Sequence, residues 1–172
     1  MRKGIILGFS LLAMALPASA QVAEPQALTI EAENVSAQSP ERAADQAELT
    51  LPGDVIEYRL TFTNHQAGAV SDVVLNDPIP AGLVFVPGSV TASRQDLLVE
   101  YSIDGGSSWT ERPMVEVEVA GESVSRPAPA EAYTHVRWTI NGSVNPGAQV
   151  TARFRAVVAQ PNQPNSLRGN DR

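Results

Sequence analysis

Beyond residue 20, apolar side chains recur at every second position, and no stretch keeps a helical period over three turns. The mature chain is therefore expected to be all-β. Across Asp54 to Asn64, Ile56, Tyr58, Leu60 and Phe62 fall on one face and Glu57, Arg59, Thr61 and Thr63 on the other. That is the pattern of a strand with one face buried and one solvated. Ala148 to Val158 repeats it, with Val150, Ala152, Phe154, Ala156 and Val158 facing in and Thr151, Arg153 and Arg155 facing out.

Shorter candidates lie around and between these two: Ala27 to Val35, Ser71 to Leu75, Leu83 to Val90, Leu97 to Ile103, Met114 to Val119 and His135 to Ile140. Turn signals separate them, among them Pro52-Gly53, Pro80-Ala81-Gly82, Pro87-Gly88, Asp104-Gly105-Gly106, Asn141-Gly142 and Pro146-Gly147. About seven to eight short antiparallel strands with this punctuation predict an immunoglobulin-like β-sandwich, with a small barrel as the alternative. Its core is expected to contain Ile56, Tyr58, Leu60, Phe62, Phe85, Trp138, Val150 and Phe154. Pro52, Gly53, Gly82 and Gly147 are expected to set turns. Ser36 to Glu48 and Gly121 to Ala132, the second interrupted by Gly121, Pro127 and Pro129, are expected to be irregular solvated connections.

The first twenty residues have the form of an export signal. Arg2 and Lys3 precede an apolar run from Ile5 to Leu16, and Pro17-Ala18-Ser19-Ala20 supplies a small-residue cleavage site. The run is shorter than the roughly 20 residues a spanning helix needs. Residues 21–160 are then expected to form one sandwich domain, and 161–172, "PNQPNSLRGNDR", a polar tail. Cleavage removes two of 12 basic residues and leaves 19 acidic ones, for a net charge near −9. This balance argues against nucleic acid or an anionic membrane surface as partner. The chain has no cysteine, and Lys3 is its single lysine. A disulfide, a thiol nucleophile, a lysine Schiff base and an intramolecular lysine-to-asparagine crosslink are all excluded from the mature chain.

Leu51 to Val90 carries a Pro52-Gly53-Asp54 turn, Tyr58 on a strand ending in Thr63-Asn64, Asp77 ahead of Ile79-Pro80-Ala81-Gly82-Leu83, and then Phe85-Val86. This run resembles the bacterial conserved-repeat domain known as domain of unknown function eleven. Trp138 to Val158 and Ala27 to Val35 look like further parts of the same domain. The resemblance implies an immunoglobulin-like module of exported and cell-surface proteins and implies no catalytic set. No clear version of the closing strand that often ends the family's domain is present. A missing strand would leave a sheet edge open to another chain; the alternative is that Ala148 to Val158 is itself an edge, protected by its outward arginines.

Candidate chemistry centres on Ser102 to Trp109, "SIDGGSSW", which looks like an Asp box, S-x-D-x-G-x-[ST]-W, found in sialidases and other secreted carbohydrate-active proteins. Ser102 and Asp104 can bond backbone amides across a tight turn at Gly106 while Trp109 covers the hairpin base. A sialidase needs several four-stranded blades, for which 152 mature residues are too few. Trp109 could instead stack on a sugar, whereas Trp138 alternates with Val136 and Ile140 and is expected in the core. Asp54, Asp72, Asp77 and Asp104 could serve calcium, although no D-x-D-x-D loop organises them. His65 and His135 have no zinc-binding spacing, and no nucleophile elbow is present.

These residues predict an exported, non-enzymatic structural or interaction module, periplasmic or at the cell surface, without cofactor or metal. Its expected partner is another protein or a second copy, engaged through a sheet edge. The alternative is a secreted carbohydrate-binding or calcium-dependent module using the Trp109 hairpin.

Overall fold

The computed structural model describes residues 27–38, 43 and 49–160. The expected signal at 1–20, the tail at 161–172 and most of Ser36 to Glu48 lie outside the described residues. Among the described residues ten strands follow one another: β1 (Leu28–Asn34), β2 (Val55–Thr63), β3 (Val74–Pro78), β4 (Leu83–Phe85), β5 (Thr91–Ala92), β6 (Leu97–Ser102), β7 (Met114–Val119), β8 (Glu122–Pro127), β9 (His135–Ile140) and β10 (Gln149–Val158). One antiparallel sheet has the order β1-β2-β10-β4, with β5 also on β10, and a second has the order β3-β9-β6. β7 and β8 form a separate two-stranded hairpin. No helix among the described residues is long and apolar enough to cross a membrane.

The two larger sheets pack into an immunoglobulin-like β-sandwich because their inward residues share one core. Leu60 of β2, Phe85 of β4 and Ala152, Phe154 and Ala156 of β10 meet Leu75 of β3 and Val136 and Trp138 of β9. Aromatic rings fill its centre. Phe154 stacks on Tyr58 at 4.9 Å and lies 6.2 Å from Trp138. Phe85 stacks on Tyr133 at 4.9 Å. A smaller cluster of Ile140, Val144 and Val150 continues the core toward one end. Tyr58 and Phe62 are only partly buried, and Phe62 bridges the two clusters.

Buried polar residues close the strand ends. Asp54, next to the Pro52-Gly53 turn, accepts hydrogen bonds through Oδ2 from the Leu51 amide at 2.7 Å and Asn34 Nδ2 at 2.8 Å. Asn64 donates from Nδ2 to the carbonyls of Gly68 and Val144 and accepts the Gln66 amide at Oδ1. A buried polar side chain with its hydrogen bonds made costs little, and its removal orphans the backbone groups it served.

Four expectations change. Gly121 to Ala132 is not irregular, since β8 occupies Glu122–Pro127 and pairs with β7. Ala120 and Gly121 both take positive φ, 54° and 86°, the geometry of a two-residue hairpin turn, and Pro127 stands at the strand's end, where its missing N–H matters least. Leu83 to Val90 is not one strand: Pro87 lacks an N–H, Gly88 turns the chain at φ 79°, and pairing resumes only at Thr91. The strand expected at Ser71 to Leu75 begins later, at Val74, because Asp72 takes φ 56° and breaks the extended run. Finally, Ala148 to Val158 is not an edge. β10 lies between β2 on one side and β4 and β5 on the other.

Phe154 is fully buried, so Phe154→Ala should lower unfolding free energy in urea by about 3–5 kcal/mol. Phe62→Ala should cost clearly less, because that ring is half exposed before it is removed. Equal losses at the two sites would contradict this placement of the core.

Candidate functional site

The Asp-box hairpin leaves the end of β6 and folds back so that Thr110 pairs with Tyr101 through two backbone hydrogen bonds, 2.8 and 3.1 Å. Ser102 is buried at its base. Its Oγ donates to Asp104 Oδ1 at 2.7 Å and accepts the Gly106 amide at 2.8 Å. Asp104 in turn accepts the Ser108 amide at 2.9 Å and the Ser108 hydroxyl at 2.6 Å. The Ser108 hydroxyl and amide, with the Ser102 hydroxyl, stabilise the carboxylate and hold its pKa down at about 2. Gly106 takes φ 87°, a left-handed conformation that favours glycine; the indole is not the reason, since a Cβ there would meet Trp109 Cζ2 at 3.6 Å, an ordinary contact.

The structure thus brings Ser102, Asp104 and Gly106 into one network and lays Trp109 beside it. The half-buried indole meets the His135 ring edge-on at 5.9 Å. The Arg137 guanidinium sits over one indole face, 4.2 Å from the ring centroid. Arg137 is itself held by Glu100, directly opposite on β6, with Nη2 and Nε at 2.7 and 3.2 Å from Oε2. That indole face is therefore occupied by a cation and closed to a sugar ring. Thr134 joins the hairpin to β9: its hydroxyl donates to the Ser102 carbonyl and accepts the Gly105 amide, both at 3.1 Å. The motif alone shows none of Glu100, Thr134, His135 and Arg137, because each reaches the hairpin only once β6 and β9 are in register.

The remaining candidates are dispersed. Asp54 closes a turn, Asp72 is exposed in a loop, and no three His, Cys, Asp or Glu side chains gather as a metal site among the described residues. His65 is exposed beyond β2. Trp138 is fully buried, and its Nε1 has no hydrogen-bond acceptor.

Asp77 differs from the other acids. It points inward from β3 and is 4% exposed, and its Oδ2 has no hydrogen-bond partner. Burial without compensation pushes its pKa up to about 6. Burial raises the Tyr58 hydroxyl as well, with a further contribution from the Asp77 charge nearby.

No family model matches the chain, and no curated protein matches it. Among solved structures, the pilus backbone RrgB from Streptococcus pneumoniae overlaps 80% of this chain and 48% of its own, at 16% identity and a TM-score of 0.36. The full-length RrgB pilus protein from Streptococcus pneumoniae overlaps 76% of this chain and 20% of its own, at 16% identity and a TM-score of 0.33. The chain therefore spans about half the length of the first structure and a fifth of the second.

Two titrations of opposite sign follow. Asp77 has a folded pKa near 6, above its unfolded value of about 4, so the native state holds the extra proton. Its contribution to stability is full below pH ~4 and is lost as pH rises through about 6; Asp77→Asn should remove this step and raise stability at pH 7 by about 1–3 kcal/mol. A wild-type and mutant pair with parallel pH profiles would refute it. Asp104 is depressed, so its contribution is present above its unfolded pKa and lost as pH falls through about 2. In a carboxyl NMR titration, Ser108→Ala should move the Asp104 midpoint upward toward the ordinary carboxylate range.

Proposed function

We propose that this chain is an exported, non-enzymatic module that works by contact with other proteins, in the periplasm or at the cell surface. The observation that carries the reading is the β7–β8 hairpin. Pro113 and Ala128 are buried at its root and joined by an Ala128 amide to Pro113 carbonyl bond of 2.9 Å, but the strands beyond belong to neither core cluster. Met114, Val119 and Val124 remain 48%, 41% and 37% exposed. A two-stranded hairpin is marginal alone, and apolar side chains displayed on one are better used against a partner than against water. The signal pattern at 1–20 and the conserved-repeat resemblance of Leu51 to Val90 support the same reading.

In intact cells of the native host, a photocrosslinking residue at Val119 should yield a discrete protein adduct, while the same residue at the exposed Val74 on β3 should not. Absence of any adduct at Val119 would refute the reading. Glycan-array binding lost on Trp109→Ala, or a calcium-dependent rise in Tm, would establish the carbohydrate or calcium alternative in its place.

A further inference from the structure

On the outward face of the larger sheet three arginines gather around Glu57, with Glu31 and Glu33 alongside on β1. Arg59 on β2 and Arg153 on β10 are direct cross-strand partners, and Arg155 lies two residues along on the same face. All three guanidiniums turn to Glu57. Arg155 binds it at 3.0 Å through both Nε and Nη2, whereas Arg153 and Arg59 stay at 3.6 and 3.9 Å, beyond hydrogen-bonding distance. Arg59 Nε is buried without a partner. Glu31 stands opposite Arg59 on β1 but makes no ion pair with it. Two of the three cations therefore lack a hydrogen-bonded carboxylate. Beside Arg153 runs a cleft of about 250 Å³ lined by Thr91, Ala92, Ser93 and Thr151, with room for an acidic side chain among hydroxyls.

The projecting hairpin carries the complementary charge. Between Glu111 and Glu131 it has five acids, Glu111, Glu116, Glu118, Glu122 and Glu131, against two bases, Arg112 and Arg126. Glu116 and Glu118 are exposed on one face of β7. Ser123 donates a hydrogen bond to one oxygen of Glu116, Oε2, at 2.9 Å. Two residues along a strand span about 7 Å and paired strands stand about 4.8 Å apart, so the long side chains of Glu116 and Glu118 can converge on the cross-strand pair Arg59 and Arg153. Within one molecule these groups do not meet, since the arginine row pairs only with Glu57 among the described residues.

We propose that the acidic face of the β7–β8 hairpin docks on the Arg59–Arg153–Arg155 row of a second copy of this chain. Glu116 and Glu118 supply the two missing carboxylates there. This rests on the reading of the chain as a protein-contact module and names its partner and surfaces. Arm and row are different patches, so the contact is head to tail and repeats from copy to copy instead of closing as a two-fold dimer.

Sedimentation velocity on the purified full chain tests this. Species larger than monomer should grow with concentration at about 0.1 M salt and recede at about 1 M, where the screening length drops from about 10 Å to about 3 Å. Glu116→Gln with Glu118→Gln, and separately Arg59→Gln with Arg153→Gln, should each weaken association by roughly tenfold or more. Circular dichroism and melting confirm that both variants fold. Mixed in equal amounts, the two should form a 1:1 pair and stop, because one working arm meets one working row and the other ends are dead. A monomeric wild type, variants that assemble like wild type, or a mixture that forms no pair would each overturn self-docking. A Val119 adduct in cells beside any of these results leaves the broader contact reading standing; a monomeric wild type with no adduct overturns both.

Discussion

Everything in this molecule hangs on the pairing of β2 with β10. The ladder runs from Val55 opposite Val157 to Thr63 opposite Gln149, and it joins segments as far apart as Glu57 and Arg155, 98 positions along the chain. Until β10 arrives, β4 and β5 have nothing to pair with and β2 is bonded only to β1. Once it is seated, Phe154 lands on Tyr58 and closes over Trp138 of the opposite sheet. Closing so large a loop costs entropy before any contact is made, and the aromatic stack with the fully buried Ala152 and Ala156 beside it offsets that cost. Small alanines flanking a large ring let β10 sit flat between its neighbours.

The same ladder fixes where polar groups can survive burial. At its ends Asp54 and Asn64 find backbone partners, because a strand that stops exposes amides and carbonyls which a short polar side chain can reach. Asp104 does likewise at the hairpin beyond β6. Asp77, next to last on β3, has no such supply, as the backbone around it is committed to β9 and the Pro78 that follows has no N–H to offer. Burial raises the Asp77 pKa to about 6, whereas Asp104, exposed and supplied with hydrogen bonds by Ser108 and Ser102, has its pKa held at about 2.

This division also explains what could be read from the sequence. Alternation placed β2, β9 and β10 to within a residue, since each buries one face on its whole length. The Asp box was legible because its hydrogen bonds span two to four residues. Arg137 with Glu100, 37 residues apart, and the arginines on Glu57 were not legible, because they exist only after register is set. β8 was hidden for another reason: its residues are exposed on both faces, so "ESVSRP" has no buried face to impose a period, and turn geometry at Ala120-Gly121 alone fixes it. Outward arginines fit an edge strand and the solvent face of a central strand alike, so alternation alone does not tell Ala148 to Val158 from an edge. They are the solvent face of a central strand.

That correction shifts where the surface can do work. Arginines on an edge strand would act by repelling a neighbouring strand. On the face of a central strand they cannot guard an edge, and they crowd one carboxylate because cross-strand pairing puts Arg59 beside Arg153. Like charges held directly opposite are destabilising unless something compensates them. Glu57 compensates one guanidinium fully and the other two loosely. The sandwich therefore holds an arrangement that its own residues leave half satisfied. The hairpin, which contributes nothing to either core cluster, holds acids its own strand does not use. The crowding of like charges costs stability in an isolated monomer, and that cost would fall with any further carboxylate brought to the row.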